Sequence, residues 1–368
     1  MEFIRVEDCC EILDSQRKPV TESERISGMY PYYGANGMQG TINQYIFDDK
    51  LVLVAEDGGH FGSKTKPIAY LVNGKCWVNN HAHVLRAKKG FLVEYICYSL
   101  MFYKIEGYIN GATRQKLTQA ALRKLIIPKR SEEYQKAIVD RLDLVKCIIK
   151  NKQIIIKELD QLIKSRFVEM FGDIDCNTKN WPIITLEELA ELITDGEHST
   201  PKRCDKGIYL LSARNILNHS LKLDDVDYID EAEYDRISKR VIPKAGDILL
   251  SCSGSVGRCC MAPMEIKFQL VRSVALIRFK SEISPIFAEY MITSDWFQRQ
   301  INSLKTASSQ ANLFQGRIKK LKGFVPDMNL QYEFIKVVNQ INKLKSDVQK
   351  SIDETQLLMD SLMQEYFG

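Results

Sequence analysis

The chain has 368 residues, 45% of them hydrophobic and 27% charged, with a formal net charge of +4. That length suits two ordinary domains plus connecting helices, and the balance is globular, which argues against a disordered or fibrous chain. The mild positive charge permits a nucleic-acid partner without demanding one.

No stretch approaches the ~18 apolar residues that cross a bilayer, and the acidic start MEFIRVEDCCE argues against a signal peptide. Ten cysteines include the adjacent pairs Cys9–Cys10 and Cys259–Cys260, with no CxxC and no zinc-like histidine spacing. They read as reduced packing thiols, and the chain as cytoplasmic with no membrane partner.

In chain order, residues 1–128 predict a mixed α/β domain. Val6–Ser15 has a helical period and predicts a short helix. Pro31–Gly40 is turn-rich and leads into a strand-like Thr41–Phe47. Leu51–Gly59 predicts a buried strand breaking at an acidic, glycine-rich loop. A strand at Lys66–Val72, an alternating Trp77–Ala87 and an apolar helix at Phe91–Tyr103 follow, and Ile127–Lys129 closes the domain.

From Ser131 to Phe171 there is neither proline nor glycine, and Gly172 suits a C-cap. Ile138, Leu142, Val145, Ile149, Ile156, Leu159, Ile163 and Met170 recur in threes and fours, with Lys152 and Arg166 as charged seam positions. This predicts a helix of roughly 60 Å with a coiled-coil partner. Near the chain end, Ile341, Leu344, Val348, Thr355, Leu358 and Leu362 form a second seam, and RFVEMFG (166–172) is echoed by LMQEYFG (362–368). Ser165, Glu169, Phe171 and Gly172 recur as Ser361, Glu365, Phe367 and Gly368, a constant 196 residues later. The chain therefore reads as a duplication.

The second half replays the first. Thr185–Gly196 predicts a short helix, and Asp247–Arg258 a buried strand breaking at a glycine loop, with Gly254 against Gly58. Val274–Phe279 answers the strand at His83, Pro285–Phe297 the apolar helix, and Ser308–Leu321 answers Thr113–Leu125. Residues 197–245 have no close counterpart. The expected boundaries are 1–128, 129–172, 173–326 and 327–368: domain, long helix, domain, long helix.

Catalytic signatures are scarce. There is no phosphate loop of the GxxxxGK[ST] type and no strand-borne GxGxxG. Glu265–Lys267 has an ExK spacing without an acidic partner, so chance accounts for it better than a nuclease site. These features predict no catalytic residues, no cofactor and no metal. His81 and His83 lie on one side of an alternating strand. Both could bind a metal or a base edge. A packed, hydrogen-bonded histidine is preferred for His83; for His81, beside Asn79 and Asn80, packing and binding stand equally.

The loops EDGGHFGSK (56–64) and SCSGSVGR (251–258) suit an oxyanion in principle, but a tight turn is the preferred reading, with Lys64 and Arg258 kept as contact candidates. Arg114 and Lys116 read first as solvated charge and second as DNA contacts. In the unmatched segment, Thr200, Lys202, Arg203, Arg214 and Asn215 are candidates for contacting bases, because arginine and asparagine can make bidentate contacts to guanine and adenine.

The order of PYYGANGMQGTINQYIFDDKLVLVAEDGG, WVNNHAHVL, WPIITLEELAELITDG and GDILLSCSGSVGR, each half followed by a heptad helix, resembles the specificity subunits of type I restriction–modification systems over nearly the whole chain. The resemblance implies two α/β (α+β) target recognition domains in tandem, reading the two parts of a split target in double-stranded DNA. It also implies long helices pairing as an antiparallel coiled coil with pseudo-two-fold symmetry. Two methyltransferase subunits would dock on the helices, restriction subunits would join through them, and the chain itself would not be catalytic. The other class compatible with the sequence is a non-catalytic coiled-coil scaffold or RNA-binding adaptor without sequence readout.

Overall fold

The computed structural model describes residues 2–111, 115–304 and 312–368. Two compact units divide the chain: Met1–Ile154 with Gln349–Gly368, and Ile155–Val348. Each holds one globular domain and a part of both long helices.

The first unit contains β1 (Phe3–Arg5), α1 (Val6–Cys9), β2 (Cys10–Ile12), β3 (Tyr30–Gly34), β4 (Gly37–Ile42), β5 (Phe47–Ala55), β6 (Ala69–Val78) and β7 (Ala82–Ala87). There follow α2 (Val93–Met101), β8 (Ile109–Asn110), β9 (Lys116–Leu117), α3 (Gln119–Lys124), β10 (Ile126–Pro128) and the start of α4 (Glu132–Phe171). Six strands form one sheet in the order β2-β7-β5-β6-β3-β4. In β5, Val52 and Val54 pack with Tyr95, Ile96 and Leu100 of α2, while Leu51 and Leu53 meet Val72, Val78 and Val84 on the other face. A strand covered on both faces has no polar alternation, which is why LVLVA reads as one apolar run.

Several expected elements differ in detail. Val6–Ser15 is one helical turn followed by β2. Cys10 pairs with Ala87, and the Leu13 amide donates to the Val84 carbonyl, so the open edge of β7 outweighs local helical periodicity. Thr185–Gly196 divides in the same way. The turn-rich Pro31–Gly40 is the β3–β4 hairpin, with Gly37 at φ 110°. The alternating Trp77–Ala87 is two strands joined by a turn at 79–81.

The second unit contains β11 (Ile183–Thr185), α5 (Leu186–Leu189), β12 (Ala190–Asp195), β13 (Ile208–Leu211), β14 (Ile216–Leu217), β15 (Ser220–Leu221), β16 (Asp227–Ile229) and α6 (Glu231–Ser238). Next come β17 (Ile248–Ser251), β18 (Cys259–Met261), β19 (Phe268–Leu270), β20 (Val274–Phe279), α7 (Pro285–Thr293), α8 (Asp295–Leu304), α9 (Gln315–Ile318), β21 (Lys322–Phe324) and the start of α10 (Met328–Phe367). The order β12-β20-β17-β18 repeats β2-β7-β5-β6. The unmatched segment supplies β13 and β16, which join β19 in a separate three-stranded sheet.

Helices α4 and α10 are each 40 residues long, and their ends are offset by 196 positions. Within the first unit they pair antiparallel: Arg141 donates to the Tyr366 hydroxyl at 3.0 Å, whereas Lys152, further along α4, reaches back to Ser351 and Thr355. The Lys152 ammonium meets the Ser351 carbonyl at 3.1 Å and the hydroxyls of Ser351 and Thr355 at 2.7 and 2.9 Å, which satisfies all three of its donors. In the second unit the pairing is again antiparallel. Asp160 forms an ion pair with Lys345, and Phe167 packs edge-on against Phe334 at 5.4 Å. Leu344 and Leu358 fall outside the seam: both are about half exposed, while Ile341 and Ile352 are buried.

Each long helix is fixed to its domain by a buried glutamine in its first turn. The side-chain carbonyl of Gln135 accepts from the Leu92 amide at 2.9 Å, and its amide donates to Gly90 and Arg130 carbonyls at 3.0 Å. Gln331, 196 residues on, accepts from Ser284 at 2.9 Å and donates to Glu282 and Pro326. Both side chains are fully buried.

Candidate nucleic-acid interface

One end of the main sheet is built identically in both domains. The Glu56 amide donates to the His81 carbonyl and the Leu117 amide to the Glu56 carbonyl, each at 2.8 Å. The counterparts are Cys252 to Ser273 at 2.8 Å and Leu313 to Cys252 at 2.9 Å. Isolated bridges join Asp57 to Lys116 and Ser253 to Asn312. The loop glycines Gly58 and Gly254 take φ of 63° and 67°, the left-handed region that favours glycine. The backbone frame is thus common, while the side chains on it differ: Glu56 against Cys252, Asp57 against Ser253, His83 against Ala275 and Lys116 against Asn312.

In the first domain this end rests on a charge network. Arg17 donates to Glu56 at 2.6 Å and to the Ala82 carbonyl at 2.8 Å, and lies 3.4 Å from Asp14. Lys116 holds the other Glu56 oxygen at 2.9 Å. His83, fully buried, meets Asp14 through Nδ1 at 2.6 Å and the Leu117 carbonyl through Nε2 at 2.8 Å. Burial alone would raise the Asp14 and Glu56 carboxyls. The contacts of Asp14 with His83, Val84 and Arg17, and of Glu56 with Arg17, Lys116 and His83, more than offset it and hold both below the ordinary range. Asp14, Glu56 and His83 lie close enough to share a metal ion, their ligand atoms all within 4.8 Å of one another. The residues do not fit one: Arg17 and Lys116 already neutralise the carboxylates, and both His83 nitrogens are used.

In the second domain the unmatched segment supplies two ion-paired groups of polar side chains. Asp227 clamps two arginines, Arg203 at 3.0 Å and Arg214 at 2.9 Å. Arg236 holds Glu233 through two hydrogen bonds, which bring the Glu233 carboxyl down to about 2.

A sequence model of the family described as type I restriction modification DNA specificity domain matches residues 1–161 and again 178–355. The chain belongs to that family. This specificity subunit is 23% identical over 361 residues to a Haemophilus influenzae protein named as a type I restriction enzyme specificity subunit, covering 96% of this chain and 90% of the relative. It shares its fold with the crystal structure of the type I restriction–modification S subunit from M. genitalium, at TM-score 0.53 and 16% identity, covering 100% of this chain and 96% of that one. It also shares its fold with a chain from a structure concerned with complex assembly and conformational transition of the type I system, at TM-score 0.59 and 14% identity, covering 100% and 97%.

The sequence candidates separate clearly in the specificity subunit. Asn215 is fully buried; its amide donates to the Lys222 and Asp225 carbonyls and its oxygen accepts from Ser212. It builds the loop and has no atom left for a base. Asn79 is likewise buried, bonded to Gln39 and to the His81 amide. His83 is the packed histidine expected. Asn80, Lys64, Thr200, Lys202 and Arg203 are exposed, Arg258 is half-buried, and Lys116 and Arg214 reach the surface while holding carboxylates. Arg114 lies outside the described residues. Sequence reasoning missed Arg17, Asp14 and Asp227. The only local signal for the first two was their i, i+3 spacing, which is common on any polar turn.

Proposed function

We propose that each recognition domain reads its part of a split duplex target from this common sheet end and, in the second domain, from the neighbouring arginine segment. The observation that carries the reading is one backbone frame presented twice with different polar side chains. Two readers of unlike sequences need that arrangement, because hydrogen bonds to base edges confer sequence specificity while the frame sets position. Replacing residues 1–128 with the equivalent segment of a relative should change one part of the methylated motif. If both parts change, or neither does, modular reading is wrong. Equal affinity for all duplexes once the methyltransferase is present would instead favour a scaffold.

The helices serve as the dock for methyltransferase subunits, one on each unit, with restriction subunits joining through them. In the first unit Leu144, Ile148 and Leu358 are apolar and exposed; in the second, Leu162 and Leu344 are. Ile148 and Leu162 have their duplicates in Leu344 and Leu358, so the same flank of each helix is left apolar twice. Exchanging Ile148 and Leu358 for aspartate should remove one docked subunit and leave the other. An unchanged complex mass would refute the assignment. On this reading the chain transfers no methyl group and cuts nothing alone, and it works in the cytoplasm; methyl transfer by the isolated chain would refute it.

A further inference from the structure

We infer that His81 reads an amino-bearing base, adenine or cytosine, at one position of the first half-site, with Asp57 selecting the ring tautomer that does so. This rests on the DNA-reading role proposed above and adds the chemistry of one contact.

His81 stands in the turn between β6 and β7, at the sheet end shared by both domains. Its backbone is held on both sides: its amide donates to Asn79 Oδ1 at 2.8 Å and its carbonyl accepts from Glu56 at 2.8 Å. Beneath it, Arg17 binds the Asn80 and Ala82 carbonyls, at 3.4 and 2.8 Å, together with Glu56. Glu56 adjoins Asp57, so one partly buried arginine fixes both the turn that carries His81 and the strand end that carries its partner. Side chains placed this firmly suit recognition, where geometry must be right before contact.

In the neutral ring, the Asp57 contact fixes the sign of the outward group. His81 Nδ1 lies 2.5 Å from Asp57 Oδ1. An ionised carboxylate only accepts, so Nδ1 carries the hydrogen and, in the neutral ring, Nε2 presents a lone pair. The side chain is 38% exposed, and Nε2 has no hydrogen-bond partner among the described residues. His83, two residues on, is the contrast: both of its nitrogens are spent inside the domain. In the major groove an outward acceptor matches the exocyclic amino groups of adenine and cytosine. Against guanine and thymine it would face the O6, N7 or O4 acceptors. The second domain lacks this device, because its counterpart Ser273 accepts from the Ala213 amide through its hydroxyl.

The test uses the full chain assembled with its methyltransferase subunits. Selection from randomised duplexes defines the target of the parent, of His81→Leu and of Asp57→Asn. His81→Leu should relax one position of the first half-site by about tenfold. Asp57→Asn should relax that same position, because an asparagine amide no longer fixes the tautomer. A parent duplex lacking only the major-groove amino group of the base pair at that position should bind the parent protein about tenfold more weakly and His81→Leu no more weakly. This last comparison holds even if the variants are less stable.

Relaxation confined to the second half-site, or an equal loss with the altered duplex in parent and variant, would each overturn the inference. A parent complex that selects no sequence at all would instead overturn the DNA-reading role itself.

Discussion

Truncating Gln135 to alanine should destabilise the first unit by about 3 kcal/mol. The side chain is fully buried and makes three hydrogen bonds to main-chain groups, one accepted and two donated. Each is worth about 1 kcal/mol net. The Leu92 amide stands at the start of α2, and the Arg130 carbonyl just before α4, so the loss falls where domain and helix join. Leucine should do no better than alanine, since the volume is restored but the three polar groups stay unpaired. Urea unfolding followed by a probe in the first unit gives the measurement, and Gln331→Ala should shift the second unit by a similar amount. A loss below about 1 kcal/mol at either glutamine would mean that water replaces the side chain freely, and that the joint is not fixed by this residue.

Three further outcomes are expected. Arg17→Met leaves Glu56 and the buried Asp14 short of a partly buried cation and should cost about 3 kcal/mol of first-unit stability, seen as an earlier urea midpoint; an unchanged midpoint would refute the network. Because the Asp14, Glu56 and Glu233 carboxyls are held below their ordinary values, the stability they confer is complete above about pH 5 and is lost as pH falls through about 4 and below. An acid titration by circular dichroism showing greater stability at pH 3 than at pH 6 would contradict that sign. Asp227→Asn frees Arg203 and Arg214 and should strengthen non-specific duplex binding, steepening its salt dependence by up to about two charges; an unchanged slope would show that the arginines do not face DNA.

Much of the architecture was legible because it depends on long periodic stretches. Forty residues of heptad pattern without glycine or proline leave little alternative to a helix, and Gly172 marks its end. The short elements were not legible: one turn of helix at Val6 and one at Leu186 run straight into strands, because an edge partner decides where helical periodicity stops. Gln135 and Gln331 carried a readable signal, the same residue at the same offset near the start of each helix, but nothing in glutamine itself announces burial. The site divided along the same line. Lys64 and Asn80 are exposed as polar loop residues should be, whereas Asn79 and Asn215 were drawn inward by carbonyls and amides that only the folded chain brings near.

The shared sheet end also bears on how such a chain changes its target. Its frame is held by main-chain hydrogen bonds, so mutation can vary the side chains there without disturbing it. In the second domain the uncharged Cys252 and Ala275 occupy two of the four positions, and substitution at either strands no buried ion there. In the first, Glu56, His83 and Lys116 depend on one another and on Arg17 and Asp14, and losing any one exposes another to the cost of an unpaired ion. On the proposed reading, new specificities are therefore more readily reached by single steps in the second domain, while the first must change several residues together or be exchanged whole.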